Sequence, residues 1–244
     1  MIQTLRTALR SYRARRRARL ATWRAGWSAD LNTPGARRTA YYDMHVLDHG
    51  LIRLAWKNRA QIAPGIWRGN QPAPRDVAAL AEMGIRTIIN FRGQNQWGSY
   101  LLEAEACAAH SITLVNGRLY SSTAPKPAEI HAAIDLIEAA EKPLFIHCKS
   151  GADRAGLAAA LYLLAQGADP SEAARQLSWK YAHLRISRTG ILDAFIADYA
   201  RARAQTGIGF LDWVDTEYDF VTLASFFSDT RVTFSLLDWI LRRE

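Results

Sequence analysis

The chain has 244 residues, 49% of them hydrophobic, an ordinary balance for a globular protein and a length that fits one domain with appendages or at most two small ones. Its two cysteines, Cys107 and Cys148, are too few for a disulfide-stapled secreted scaffold and point to a reducing, cytoplasmic setting; no apolar run is long enough to suggest a transmembrane helix. The net charge of +8 sits in residues 1–29, which hold eight arginines and no acid, while the rest of the chain balances 23 basic against 23 acidic residues.

In the arm, Ile2, Leu5, Leu9, Tyr12, Leu20, Trp23 and Trp27 fall on one helical stripe, interrupted by Arg16, with arginines on the other faces. This is the pattern of an amphipathic helix in a membrane interface, and it lacks the continuous apolar core of a secretory signal. Each basic residue near an anionic leaflet contributes about 1 kcal/mol, so the arm predicts peripheral contact with an anionic membrane, at its inner face. Three alternatives stay open: a helix packed on its own body, a mitochondrial presequence, and, least favoured, a nucleic-acid arm. Residues 28–40 have the composition of a linker, so 1–40 is expected to form an arm and linker, 41–206 the main domain and 207–244 an aromatic-rich helical tail.

A short helix is expected near Tyr42–Lys57, then two extended pieces around the Pro64–Gly65 turn. Pro74 to Met83 reads as a helix, with proline at its start and Gly84 just past its end. Strands are expected at 85–91 and 112–115, helices at 98–109 and 127–141, and a buried strand at 144–147. Helices near 170–181 and 189–205 follow, the first announced by Asp169, Pro170 and Glu172, and a last amphipathic helix is expected in VTFSLLDWILRRE. Strands alternating with helices of this length imply an α/β fold with a central, mostly parallel sheet flanked by helices.

The chemistry is concentrated in HCKSGADRAG, residues 147–156, between the buried strand and an apolar helix. Cys148 and Arg154 stand in C-x5-R spacing. A loop of this length can turn the amides of Lys149, Ser150, Gly151, Ala152, Asp153 and Arg154 inward, making an anion cradle reinforced by the following helix N-terminus. Gly151 relaxes the backbone where the loop bends, and the Arg154 guanidinium can take two oxygens of one phosphate. The same field favours the thiolate of Cys148, a nucleophile suited to phosphoryl transfer through a phosphocysteine intermediate. His147 is expected to support the loop by hydrogen bonding.

HCKSGADRAG resembles the signature loop of the cysteine-based protein tyrosine and dual-specificity phosphatase superfamily. GIWRGNQPAPRDVAALAEMGIRTIINFRG, with its R-x-x-Q-P turn and Arg-Gly strand end, is similar to the opening of the bacterial and fungal atypical dual-specificity phosphatase-like group. The resemblance spans about residues 60–185 and leaves the arm and tail outside. It implies a dual-specificity-phosphatase type of sheet and hydrolysis of a phosphomonoester without metal or cofactor; no His/Cys cluster has zinc spacing.

Two departures stand out. Many members of the superfamily carry an acidic Asp in the loop before the signature strand. Here NGRLYSSTAPKPAEI has none, and its Glu129 falls in a helical first turn as a dipole partner. The expected general acid is instead Asp153, as in myotubularin-type loops, with bracing of the loop as its other role. Ala155 stands where relatives often carry a hydroxyl that eases breakdown of the intermediate, so slower turnover is expected, and a non-catalytic phosphate-binding adaptor stays an alternative. Arg92 is expected near Cys148, as a second positive group or a brace, with Gln94, Asn95 and Trp97 at the rim. Lys149 and the arm bring an anionic phospholipid or glycolipid into competition with a phosphorylated protein as substrate. Lys180, His183, Arg185 and Arg188 are expected as a solvated basic face, and Cys107 as packing.

Overall fold

The computed structural model describes residues 2–28 and 30–229. In chain order it contains α1 (Ile2–Ala25), α2 (Pro34–Tyr42), a π-helical turn (Asp43–Leu47), α3 (Gly50–Ala55), β1 (Ala60–Ala63), β2 (Ile66–Asn70), α4 (Pro74–Glu82), β3 (Thr87–Asn90) and α5 (Gly98–Ala109). There follow β4 (Thr113–Asn116), α6 (Pro127–Ala139), β5 (Leu144–Cys148), α7 (Arg154–Ala165), α8 (Pro170–Ala174), 3-10 turns at Trp179–Tyr181 and Arg188–Gly190, α9 (Ile191–Thr206), α10 (Phe210–Thr216) and α11 (Phe220–Asp229).

The sheet order is β1-β2-β5-β3-β4, with β1 antiparallel to β2 and every other pair parallel. The continuous apolar runs of β3 and β5 are explained by their place: both are inner strands, fully buried because helices cover both faces. The period-2 alternation divides them between two cores. Ile89, Leu144 and Ile146 pack with α6, α7 and α9, whereas Ile88 and Phe145 pack with Val77 and Leu80 of α4 and Ala106 and Cys107 of α5. The parallel strands end together at their carboxyl edge, where Asn70 pairs with Cys148 and Asn90 with His147.

Three expectations need correction. The segment foreseen as a linker at 28–40 is helical from Pro34, because Thr33 caps it, accepting the Ala36 N–H, and Pro34 fits the first helical position. The helix expected to reach residue 181 stops at Ala174; the Gln176 carbonyl, instead of continuing a helix, accepts from Arg68 of β2. The tail is no separate appendage over its described part: Phe210, Trp213, Val214 and Tyr218 belong to the main core and cluster with Phe195 and Tyr199 of α9. The helix expected in VTFSLLDWILRRE lies outside the described residues.

The end of the arm is also built into the body. Arg24 is buried and grips both carboxylate oxygens of Asp43 at 2.7 and 2.9 Å, and that carboxylate accepts the Gly98 N–H at the head of α5. Trp27 packs against the cluster of Ala40, Met44 and Leu102. Arg24 therefore does not join the solvated or lipid-facing set expected of it, while Arg15, Arg16, Arg17 and Arg19 are exposed. No helix among the described residues is long and apolar enough to cross a membrane.

Candidate active site

β5 delivers Cys148 to the carboxyl edge of the sheet, and the next five residues fold back over the end of β2 before α7 begins. Gly151 makes the return possible. Its φ is +74°, and a Cβ there would stand 2.6 Å from the carbonyl carbon of Gly69 and 2.7 Å from the amide nitrogen of Asn70. Backbone meets backbone at that point, so a side chain there would force the loop or β2 to shift.

The loop carbonyls have partners on its outer side. The Lys149 carbonyl accepts the Gln71 N–H at 3.3 Å, Ser150 accepts from Asn58 Nδ2 at 2.9 Å, Gly151 accepts from Arg68 Nη2, and Ala152 accepts from the same nitrogen at 3.2 Å. In a trans peptide the N–H of one residue points opposite to the carbonyl of the residue before it. The amides of Ser150, Gly151, Ala152 and Asp153 therefore point away from those partners, the Ala152 N–H donates to Ser150 Oγ at 3.4 Å, and the N-terminus of α7 follows directly with its positive end. Arg154, half-buried, is the first residue of α7.

Arg68 opens the R-x-x-Q-P turn, a motif that by itself assigns it no role. It is fully buried, stacks on the Tyr181 ring at 4.1 Å and bonds the Gln176 carbonyl as well as the loop. Burial lowers its pKa to about 10, against the opposing pull of Cys148, Tyr181 and Asp153, so it keeps a full positive charge beneath the loop at neutral pH. The only sequence signal for it was an arginine in an otherwise buried strand.

Beneath and beside the loop runs a chain of buried polar groups. His147 Nε2 lies 2.7 Å from Glu103 Oε1 without the alignment of a hydrogen bond, and its Nδ1 is 3.3 Å from the Cys148 carbonyl. Glu103 accepts from Gln71 Nε2 at 2.7 Å, and Gln71 in turn accepts from Arg92. Arg92 grips Asp48 at 2.7 and 3.0 Å. Asp48 also receives Arg53 at 3.2 Å, Ser99 at 2.8 Å and Lys149 at 3.3 Å. Burial alone would raise the Asp48 pKa, but the charges of Arg92, Arg53 and Lys149 and the Arg92 hydrogen bond hold it well below the usual carboxylate range. Arg92 is thus bound to Asp48 and Gln71, and the Lys149 ammonium lies 3.3 Å from Asp48. Trp97 sits among these cations, its ring 4.3 Å from Arg24, 4.8 Å from Arg92 and 5.9 Å from Lys149.

On the other side of the loop, Asp153 Oδ1 lies 2.7 Å from His183 Nδ1, and His183 Nε2 lies 2.7 Å from Asp193 Oδ2. His183 is buried, contrary to the solvated basic face expected of it; two carboxylates inside the fold draw it there, and Arg185 of that group reaches the same cluster through Asp193. Asn58 fastens its turn to the loop by bonding both the Ser150 and Tyr181 carbonyls. Glu129 caps α6 through the Lys126 N–H. Ala155 is fully buried, so position 155 brings no hydroxyl. Cys107 is buried in α5, and burial with the nearby Glu103 pushes its thiol up to about 12. Among the described residues no group of three or more His, Cys, Asp or Glu is placed to hold a metal ion.

The chain is similar to several solved phosphatases. TpbA of P. aeruginosa shares 21% identity over 61% of this chain and 91% of its own, with a TM-score of 0.49. The core catalytic domain of the PP-IP phosphatase SIW14 of S. cerevisiae, in complex with citrate, shares 13% over 62% and 93%, also with a TM-score of 0.49. No curated protein matches the chain. Residues 55–189, more than half of the chain, match the family described as DSP-PTPase phosphatase fused to NAD+ kinase, and with its C-x5-R loop in place the protein belongs to this family of cysteine-based phosphatases.

Proposed function

We propose that Cys148 is the nucleophile that takes the phosphoryl group of a phosphomonoester, with the amides of residues 149–154 and the Arg154 guanidinium holding the three equatorial oxygens. The observation that supports this reading is the outward bonding of the four loop carbonyls from Lys149 to Ala152, which favours the opposite, inner side for the amides that follow them. Such a preorganised ring of donors stabilises charge spread over the transferring group. Asp153, inside the loop and directly before Arg154, is the acid that protonates the leaving oxygen and later the base that activates water. Metal and organic cofactor have no part in the scheme.

The favoured substrate is a phosphorylated protein side chain bearing one phosphomonoester. Asp48 answers the Lys149 charge, which removes the main argument for a polyanionic lipid headgroup. The test is phosphate release from phosphotyrosine, phosphoserine and phosphothreonine peptides and from phosphoinositides, with chelator present and Cys148→Ser alongside. Metal-independent turnover lost in Cys148→Ser supports the scheme; phosphate binding without turnover by the wild type would replace it with the adaptor reading.

A second reading concerns location. Exposed Arg15, Arg16, Arg17 and Arg19 beside exposed Tyr12 and Trp23 favour peripheral contact with an anionic lipid surface, which would hold a cytoplasmic enzyme at the inner face of the membrane. Flotation with anionic vesicles tests it, and a chain that stays with the unbound fraction at low salt removes it.

A further inference from the structure

His183 sits in a fully enclosed position with a carboxylate at each ring nitrogen, Asp153 at 2.7 Å and Asp193 at 2.7 Å. A neutral imidazole has one N–H and one lone pair, so it can donate to only one of them. The other contact would set a lone pair against a carboxylate oxygen. Both contacts are attractive only for the imidazolium, which donates twice. Burial disfavours that charge, but the hydrogen bonds to Asp153 and Asp193 and the attraction of both carboxylates outweigh it and hold the His183 pKa above its ordinary value. The charged groups set against the ring come from two elements, Asp153 on the signature loop and Asp193 on α9; Arg185, exposed, takes the other oxygen of Asp193 at 3.2 Å. The line Asp153–His183–Asp193 therefore stores one proton next to the residue that precedes Arg154.

We infer that His183 supplies and recovers, through Asp153, the proton exchanged with the leaving oxygen of the substrate. The inference rests on the roles proposed above for Cys148 and Asp153. In the first step the Cys148 thiolate bonds to phosphorus as the bond from phosphorus to the leaving oxygen breaks. The Nδ1 proton of His183 passes to the Asp153 carboxylate and from it to that oxygen, so that Asp153 is again a carboxylate and the imidazole is left neutral, still donating to Asp193. In the second step water attacks the phosphocysteine and Cys148 departs as thiolate. The proton lost by water passes to Asp153 and back to His183, which restores the starting state. His183 touches Asp153 and not the substrate, so it is a positioning residue.

Leaving-group dependence separates proton supply from mere bracing. p-Nitrophenyl phosphate releases a stable phenolate and needs little protonation, whereas a phosphoserine peptide releases an alkoxide and needs it fully. His183→Gln is expected to lower kcat on the peptide by about a hundredfold, the usual size of a general-acid contribution, and on p-nitrophenyl phosphate by about threefold or less. Asp153→Asn should show the same split. Wild-type kcat on the peptide should fall as pH rises past the elevated His183 value, and Asp193→Asn, which keeps His183 and Asp153, should move that fall to lower pH. If His183→Gln does not fold, the Asp193→Asn profile and the ring 15N shifts of His183 in the wild type decide. Equal losses on both substrates, an unmoved Asp193→Asn profile, or a neutral His183 at the pH of activity would overturn the inference. Failure of the site assignment itself has a different signature: no turnover of any substrate by the wild type, or turnover kept in Cys148→Ser, would remove the roles of Cys148 and Asp153 and this inference with them.

Discussion

The signature loop is held from two sides by clusters of opposite design. On one side a single buried anion, Asp48, gathers Arg53, Arg92 and Lys149. On the other a single buried cation, His183, is held between Asp153 and Asp193. In both, a charge is taken out of water only because opposite charges and hydrogen bonds surround it. The difference lies in the pH at which each fails. Asp48 is held below its ordinary value of 3.8, so its contribution is complete above that pH and is lost as pH falls. His183 is held above its ordinary value of 6.5, so its contribution is complete below that pH and is lost as pH rises through the elevated value.

Removing the central charge should break each cluster. Asp48→Asn leaves Arg92 and Arg53 buried without their counter-charge, and a loss of about 3–5 kcal/mol is expected from urea unfolding at neutral pH. A loss under about 1 kcal/mol would mean that the Asp48 cluster adds little net stability. The seam between the clusters is Gly151. Gly151→Ala combines a φ of +74° with a backbone clash at 2.6 Å, so the loop must shift; a loss of about 2 kcal/mol or more and of inorganic phosphate binding is expected by calorimetry. The comparison sharpens in a pH series of unfolding free energies on the wild type. Each pKa unit of displacement is worth about 1.4 kcal/mol, and Asp48→Asn should flatten the acid limb while leaving the alkaline limb in place. The smallest effect is expected at the rim: Lys149→Met keeps Arg92 and Arg53 on Asp48 and should cost about 1 kcal/mol or less.

Local signals carried much of this architecture. The apolar run of β5, the C-x5-R spacing and Gly151 marked the loop and the position of Cys148, because strand, turn and helix head are determined by neighbours in sequence. Asp169 and Pro170 marked α8 correctly, for Asp169 accepts the Ser171 N–H at 2.9 Å. Its end was not legible, because the groups that meet the chain after Ala174 come from other elements: Arg68 of β2 bonds the Gln176 carbonyl, and Gly156 of α7 packs so close that a Cβ would stand 2.7 Å from it. His183 was hidden for the same reason. It lies among arginines, and nothing within a few residues announces that Asp153 and Asp193 will meet its ring. Asp48 lies outside the stretch that carried the family resemblance, so its hold on Arg92 and Lys149 had no motif to reveal it. The Thr33–Pro34 start of α2, by contrast, is a readable cap that the linker-like composition of 28–40 masks.

The π-helical turn at Asp43–Leu47 has a consequence for modularity. The Asp48 N–H bonds the Asp43 carbonyl at 2.8 Å, five residues back, and this wide turn joins two aspartates that meet different partners: Arg24 of the arm and Gly98 at the head of α5, or Arg53, Arg92 and Lys149. The family match opens at residue 55, after both of them. An excision made at that border would carry away the counter-ion and leave two like charges, Arg92 and Lys149, facing each other across an empty socket beside the cysteine. The likeness to relatives and the physical unit of catalysis thus have different edges, and grafting or trimming this enzyme has to respect the second.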